Sequence, residues 1–262
     1  IVATNPAPET HQAGETMIST ADGMELVYIP AGRFKMGSES GNSNQAPVHR
    51  VLLAGYWMDR TEITNEMFVR FLNAEGNQQE GGITWLDPID PFVWVFEKDG
   101  LWQTLPGKEN FPITKVSWYG AKAYCQWAGR DLPTEAQWEY AAAGTGGRRF
   151  PWGMGAPDCE RARFSGCENK PVEAGSLRSG SSPFGIFDLA GNVAEWVNDR
   201  YAADYYRGSP AENPPGPSNG YYRVIRGGYW GSTYIGLQTS HRDWAGADEQ
   251  ISGVGFRCAL TP

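Results

Sequence analysis

The sequence has no C-x-x-C pair: its four cysteines, Cys125, Cys159, Cys167 and Cys258, stand apart. That spacing excludes a zinc ribbon and a thioredoxin-like redox motif. It has no tract of clustered Lys and Arg, and the net charge is −8. Both argue against a nucleic-acid partner, because affinity there depends on neutralising phosphates with concentrated positive charge. No apolar run reaches the roughly 18 residues that a membrane-spanning helix needs. Internal repeats are absent, histidines number only three, and long periodic segments are few. In their place are 33 glycines, 18 prolines and 11 tryptophans. This balance describes a turn-rich globular chain with much irregular backbone.

At 262 residues the chain is long enough for one large domain with a sizeable core. An even cysteine count allows two disulfides, with Cys159 and Cys167 closing a short polar loop, and would place the protein in an oxidising compartment. Four reduced, buried cysteines are the other reading. The opening stretch IVATNPAPETHQAGE is polar and proline-containing. We expect a flexible tail over residues 1–19, similar to what remains after signal-peptide removal, and one domain over 20–262.

Three helices are predicted. In TNEMFVRFLNAEG, Met67, Phe68, Phe71 and Leu72 share one face and Gly76 follows the end. SWYGAKAYCQWAG has Ser117 as N-cap and Gly129 as terminator. In LPTEAQWEYAAAG, Thr134 and Gln137 have the spacing of a capping box. Residues 77–111 form an aromatic insertion among Asp-Pro turns, 145–220 read as ordered coil around PFGIFDLAGNVAEWVND, and the last forty residues read as short strands.

Five segments in order carry a resemblance: GMELVYIPAGRFKMGS, HRVLLAGYWMDRTEITNEMFVRFL, PITKVSWYGAKAYCQWAGRDLPTEAQWEYAA, PFGIFDLAGNVAEWVND and RVIRGGYW…GFRCAL. Together they are similar to the formylglycine-generating enzyme (sulfatase-modifying factor) family over residues ~20–260. The resemblance implies an α+β fold: one compact C-type-lectin-related domain with few helices and short antiparallel strands. It implies a Cys125–Cys258 disulfide and assigns no counterpart to Cys159 and Cys167. It also implies one structural calcium ion at FDLAGNVAEW, with side-chain oxygens from Asp188 and Glu195 and carbonyls from Leu189, Gly191 and Val193. Such a turn suits a hard cation, which takes six to eight oxygens; an Asx-type turn without metal is the alternative. The family's second calcium site falls near Arg163 and is not expected.

One departure decides the chemistry. The family's enzyme binds copper through two cysteines in its C-terminal segment, and here the matching positions are Ser232 and Leu237. A hydroxyl and an isobutyl group cannot replace thiolates for Cu(I). Copper held by paired cysteines and sulfatase activation are therefore not expected. Ala194 replaces a tryptophan just before Glu195, and Tyr229 replaces a serine after the glycine pair.

The segment RGGYWGSTYIGLQTSHRDW would then line a pocket of another kind. Its expected catalytic groups are His241, the side chain best placed to exchange protons near neutral pH, Arg242 as a clamp on a carboxylate or carbonyl, and Ser232. Tyr229, Trp230, Tyr234 and Trp244 are the expected substrate-binding residues. Each has a structural alternative: a satisfied histidine, an Arg242–Asp248 ion pair, tryptophans in the core. No Ser–His–Asp set can be read from spacing. Secreted family members without the cysteine pair include a pyoverdine-maturation protein. The resemblance thus implies a periplasmic tailoring enzyme of siderophore biosynthesis, an oxidoreductase converting a dihydropyoverdine chromophore precursor to the mature form. A non-catalytic lectin-like binding module is the rival. Either would take a small aromatic or peptide-like ligand, with no nucleic acid and no membrane span. No flavin or nicotinamide fingerprint is present, so the redox cofactor is left unassigned.

Overall fold

The computed structural model describes residues 11–261. Strands β1 (Thr16–Ile18), β2 (Glu25–Ile29), β3 (Gly32–Met36), β4 (His49–Leu53) and β5 (Tyr56–Asp59) precede helix α1 (Asn65–Glu75). Two small hairpins follow, β6 (Gln79–Glu80) with β7 (Ile83–Thr84) and β8 (Val95–Lys98) with β9 (Leu101–Thr104). Then come α2 (Trp118–Trp127), α3 (Glu135–Ala143), and strands β10 (Ala194–Arg200), β11 (Tyr222–Arg226), β12 (Asp243–Gly246), β13 (Val254–Phe256) and β14 (Ala259–Leu260).

The three helices start where the caps predict. Thr64 accepts from Met67 N at 3.4 Å and Ser117 from Gly120 N at 3.2 Å. Thr134 and Gln137 form the reciprocal capping box at 3.2 and 2.8 Å. These side chains satisfy amides that have no partner in the first helical turn. Gly76, Gly129 and Gly144 follow the helix ends with positive φ, a backbone region that glycine enters without Cβ strain.

Two four-stranded sheets carry the fold, ordered β1-β2-β5-β14 and β12-β11-β10-β13. The first is antiparallel throughout, while β10 and β13 pair in parallel, Glu195 opposite Gly255. A parallel pair needs a long crossover, and here 53 residues separate Val254 from the end of β10 in irregular backbone and β11–β12. One core cluster includes Phe68, Phe71, Tyr124, Trp196 and Phe256; another includes Met58, Trp138, Tyr140, Val197 and Val224.

Two expectations are adjusted. Residues 16–18, assigned to the tail, form β1 at the edge of the first sheet, because Met17 pairs with Leu26 and packs on the core. The first ten residues of that tail lie outside the described residues. The insertion at 77–111 contains two hairpins rather than turns alone, and Trp85 stacks on Phe71 at 5.0 Å. Both disulfides are present: Cys125–Cys258 joins α2 to the segment between β13 and β14, and Cys159–Cys167 closes the local loop. No described helix is long and apolar enough to cross a membrane.

Candidate functional site

Strand β11 ends at Arg226 and delivers the chain into Gly227 and Gly228, both at positive φ. A Cβ on Gly228 would lie 2.9 Å from the Gly236 carbonyl oxygen, so this close approach requires glycine. The loop then returns to β12 and encloses a cleft of ≈150 Å³. Tyr229, Ser232, His241 and Trp244 line it, joined by Ala194 from β10 and Ser252 from the loop before β13. Ala194 belongs to its wall, where a methyl group takes little space.

Tyr229 is seated by two glycines: a Cβ on Gly231 would meet its ring at 2.7 Å, and one on Gly253 at 2.5 Å. Trp244 is 41% exposed and stacks on Tyr201 at 4.2 Å with an interplanar angle of 12°. The cleft therefore has a rigid, half-solvated aromatic rim. The aromatic insertion supports it from behind. Ser252 Oγ donates to Asp90 at 2.6 Å, and Phe92 packs on Trp230 at 5.1 Å.

His241 faces this cleft with Nδ1 buried and unpartnered among the described residues. Burial lowers its pKa, Arg226 lowers it further, and Asp243 opposes them. A neutral imidazole results near pH 7, able to accept or donate one hydrogen bond. Ser232 Oγ accepts from Tyr229 N at 3.0 Å and makes no hydrogen bond to His241, so the hydroxyl acts in loop geometry rather than as an activated nucleophile.

Other expected residues are placed elsewhere. Arg242 is 1% exposed and gives Glu135 a two-pronged contact, Nε to Oε1 at 2.7 Å and Nη2 to Oε2 at 2.9 Å. Its partner is thus Glu135 in α3, not a ligand and not Asp248, which accepts from Tyr221 OH at 2.8 Å. Arg226 bridges the same Glu135 and Glu139 at 3.1 and 2.6 Å. These pairs clamp both ends of the 227–241 loop to α3. Trp230 is buried, Tyr234 is exposed but outside the cleft, and Leu237 lies in a small cluster with Phe150, Ala162 and Ala190.

In the 188–195 turn the two side chains expected to hold calcium have protein partners, and one of their oxygens, Asp188 Oδ1, stays unpaired. Both oxygens of Glu195 are committed, Oε1 to Arg257 at 2.6 Å and Oε2 to Arg257 at 2.8 Å and to Trp138 Nε1 at 2.7 Å. Asp188 accepts from Gly175 N and keeps only Oδ1 unpaired. Gly191 N donates to Gly227 O at 2.9 Å, which ties the turn to the cleft loop. No described group of three His, Cys, Asp or Glu side chains is arranged to hold a metal. The fully buried Arg257 supplies the positive charge at Glu195. Burial raises the pKa of Asp188 and of neighbouring Glu62.

Asn192 organises this turn and was not anticipated. Its Nδ2 donates to Glu62 at 3.0 Å, and its Oδ1 accepts from Val172 N at 2.9 Å. Glu62, Glu135, Arg257 and Ser252 were also missed. Their partners are distant in sequence, and no local pattern marks them.

Residues 12–262 match the family model of the sulfatase-modifying factor enzyme 1-like domain. Formylglycine-generating enzyme from Streptomyces coelicolor is 31% identical over 277 residues, covering 89% of this chain and 88% of that protein. The chain belongs to the sulfatase-modifying factor family. A protein named serine/threonine-protein kinase Pkn1 from Chlamydia trachomatis serovar L2 is 38% identical over 238 residues. That match covers 90% of this chain but only 38% of the chlamydial protein, so the chain spans well under half the length of that relative. Among solved structures, PvdO from Pseudomonas aeruginosa has the same fold, with a TM-score of 0.77, 22% identity, and coverage of 97% of this chain and 100% of that one. Of the two residues expected at the family's thiol positions, Ser232 lies in the cleft wall and Leu237 in the core.

Proposed function

We propose that this family member is a ligand-binding domain that takes a single aromatic ring into the cleft beneath Tyr229 and Trp244. The cleft volume carries the reading: ≈150 Å³ accommodates one six-membered ring, a volume known to hold benzene. Ligand sites for larger molecules usually run to about 300–1,000 Å³. The rest of an aromatic or peptide-like ligand would lie across the exposed rim, and neutral His241 would hydrogen-bond a ring substituent. Arg242 is spent in a buried ion pair, which leaves Asp243 as the charged side chain lining the cleft. The two disulfides suit an oxidising compartment, in keeping with a periplasmic or secreted setting.

Titration of tryptophan fluorescence with N-acetyltyrosinamide tests this. Saturable binding that weakens about tenfold in Trp244→Ala, the loss of roughly 1.4 kcal/mol, is the expected result. Unchanged affinity in that variant would remove the cleft from the reading.

A second reading is favoured by the PvdO-like fold and by a neutral histidine facing the cleft. In it the domain oxidises a dihydropyoverdine-type precursor: two hydrogens leave the bicyclic chromophore, His241 accepts one proton, and molecular oxygen becomes hydrogen peroxide. Only one ring of a bicycle fits the cleft, so the second would stack on Trp244. Absorbance and oxygen uptake on mixing the protein with that precursor separate the readings. Binding without oxygen uptake supports the first.

A further inference from the structure

On the far side of the 236–241 segment lies a second cleft of ≈450 Å³, three times the volume of the first. Gly236 and His241 face the first cleft, and Gln238, Thr239 and Ser240 face the second. The walls of the second are polar, and three cations line it: Lys35 from β3 and Arg148 and Arg149 from the loop after α3. None of the three makes an ion pair with a described residue, although the chain carries a net charge of −8 and has acidic partners to spare.

The cations are positioned rather than merely exposed. Thr239 Oγ1 donates to the Arg148 carbonyl at 2.6 Å, and Thr239 N donates to the Arg149 carbonyl at 2.9 Å. Thr239 is itself buried, and its own carbonyl accepts from Arg226 Nη2 at 2.5 Å. The double-arginine segment is thereby fixed to the same Arg226 that anchors the cleft loop. On the opposite wall Lys35 stands directly across from Arg50 in the β3–β4 register. Like charges facing one another across a ladder are unfavourable, so the fold retains positive charge here at a cost. The one carboxylate in the wall, Glu139, is already neutralised: it accepts from Arg226 Nη2 at 2.6 Å and from Gly37 N at 2.7 Å. Ser240 Oγ already donates to Gln45 Oε1 at 3.1 Å, and Ser38 and Ser40, hydrogen-bonded to each other at 3.2 Å, leave one hydroxyl hydrogen between them to donate into the cleft.

We propose that this second cleft binds a phosphate-type oxyanion, either free or as a compact phosphomonoester. Guanidinium forks match the paired oxygens of such a group, a lysine adds a point charge, and the free serine hydroxyl supplies a further donor. The site is independent of the aromatic cleft and of its ligand.

Isothermal titration calorimetry of the whole domain tests it, with inorganic phosphate and phenyl phosphate at constant ionic strength set by sodium chloride. Saturable one-to-one binding is expected. Lys35→Gln and Arg149→Gln should each weaken it about tenfold or more, as for the loss of one charge-assisted contact. Both side chains are exposed, so the melting temperatures without phosphate should match the parent. Tighter binding of phenyl phosphate would identify a phosphomonoester as the source, and equal binding a free anion. His241→Ala, in the other cleft, should leave phosphate affinity unchanged. Heats that vanish when ionic strength is held constant, or affinity unaltered in both cation variants, overturn the proposal.

Discussion

Glu135 is the residue whose loss should be felt most widely. Its Oε1 accepts from Arg242 Nε at 2.7 Å, Arg226 Nη1 at 3.1 Å and Tyr206 OH at 3.2 Å, and its Oε2 from Arg242 Nη2 at 2.9 Å. Burial pushes its carboxyl pKa up, but Arg242 and Arg226 outweigh burial and hold it below the usual value. Glu135→Gln keeps the shape, removes the charge and turns an amide NH₂ toward one arginine. Arg242, 1% exposed, would be left without a carboxylate, and Arg226 with Glu139 alone. Breaking a buried pair by removing one partner costs about 3–5 kcal/mol. Replacing both partners by apolar groups of similar volume costs far less, because no uncompensated charge remains. Urea unfolding at pH 7 should therefore show losses of about 3–5 kcal/mol for Glu135→Gln and for Arg242→Met separately. Glu135→Gln/Arg242→Met, which removes both charges, should lose less than the sum by about 2 kcal/mol or more, within the range of coupling between contacting residues. Additive losses, or single losses below about 1 kcal/mol, would refute the claim that this cluster clamps the cleft loop to α3.

Two further outcomes follow from the same physics. The Cys125–Cys258 bridge closes a sequence separation of 133 residues and Cys159–Cys167 one of 8. In the chain-entropy account these constrain the unfolded state by about 5 and about 2.6 kcal/mol. Pairwise Cys→Ala variants compared by urea unfolding should thus differ by about 2 kcal/mol, and equal losses would contradict that account. Stability contributed by two buried aspartates should also fall as pH rises from about 4 to 8. Asp59 is pushed up to about 7 by burial, which outweighs Arg130, a cation it shares with Asp22. Asp199 is pushed to about 8 by burial and by neighbouring Glu135. An aspartate raised on folding contributes stability that is complete below its unfolded pKa of about 3.9 and is lost through the folded value. Melting temperatures that rise over that interval, or an Asp199→Asn variant with the parent's pH profile, would contradict this assignment.

The helices were legible because their signals are local. Thr134 and Gln137 sit three residues apart, and a capping box needs nothing else. The cleft wall was legible in part for a similar reason: Tyr229, Ser232, His241 and Trp244 come from one dense segment. The roles of charged residues were not legible. Arg242 and Glu135 are separated by 107 positions, and Glu195 and Arg257 by 62. No spacing rule links such partners, and an arginine beside a histidine reads as a ligand clamp until its buried partner is placed. The pairing of Glu195 with Arg257 was illegible for the same reason, since the turn sequence shows the carboxylate but not the guanidinium beside it.

Composition and motif order determined the turn-rich α+β class, the family and the departure at Ser232 and Leu237, because each depends on residue identity along a contiguous stretch. Only the tertiary structure decided which polar groups remain free. Burying an arginine or a carboxylate requires a partner, and that partner is chosen by the packing of α3, β10 and the segment around Arg257. What the packing leaves facing solvent is an aromatic cleft with one neutral histidine and, behind its wall, three cations that make no ion pair with a described residue.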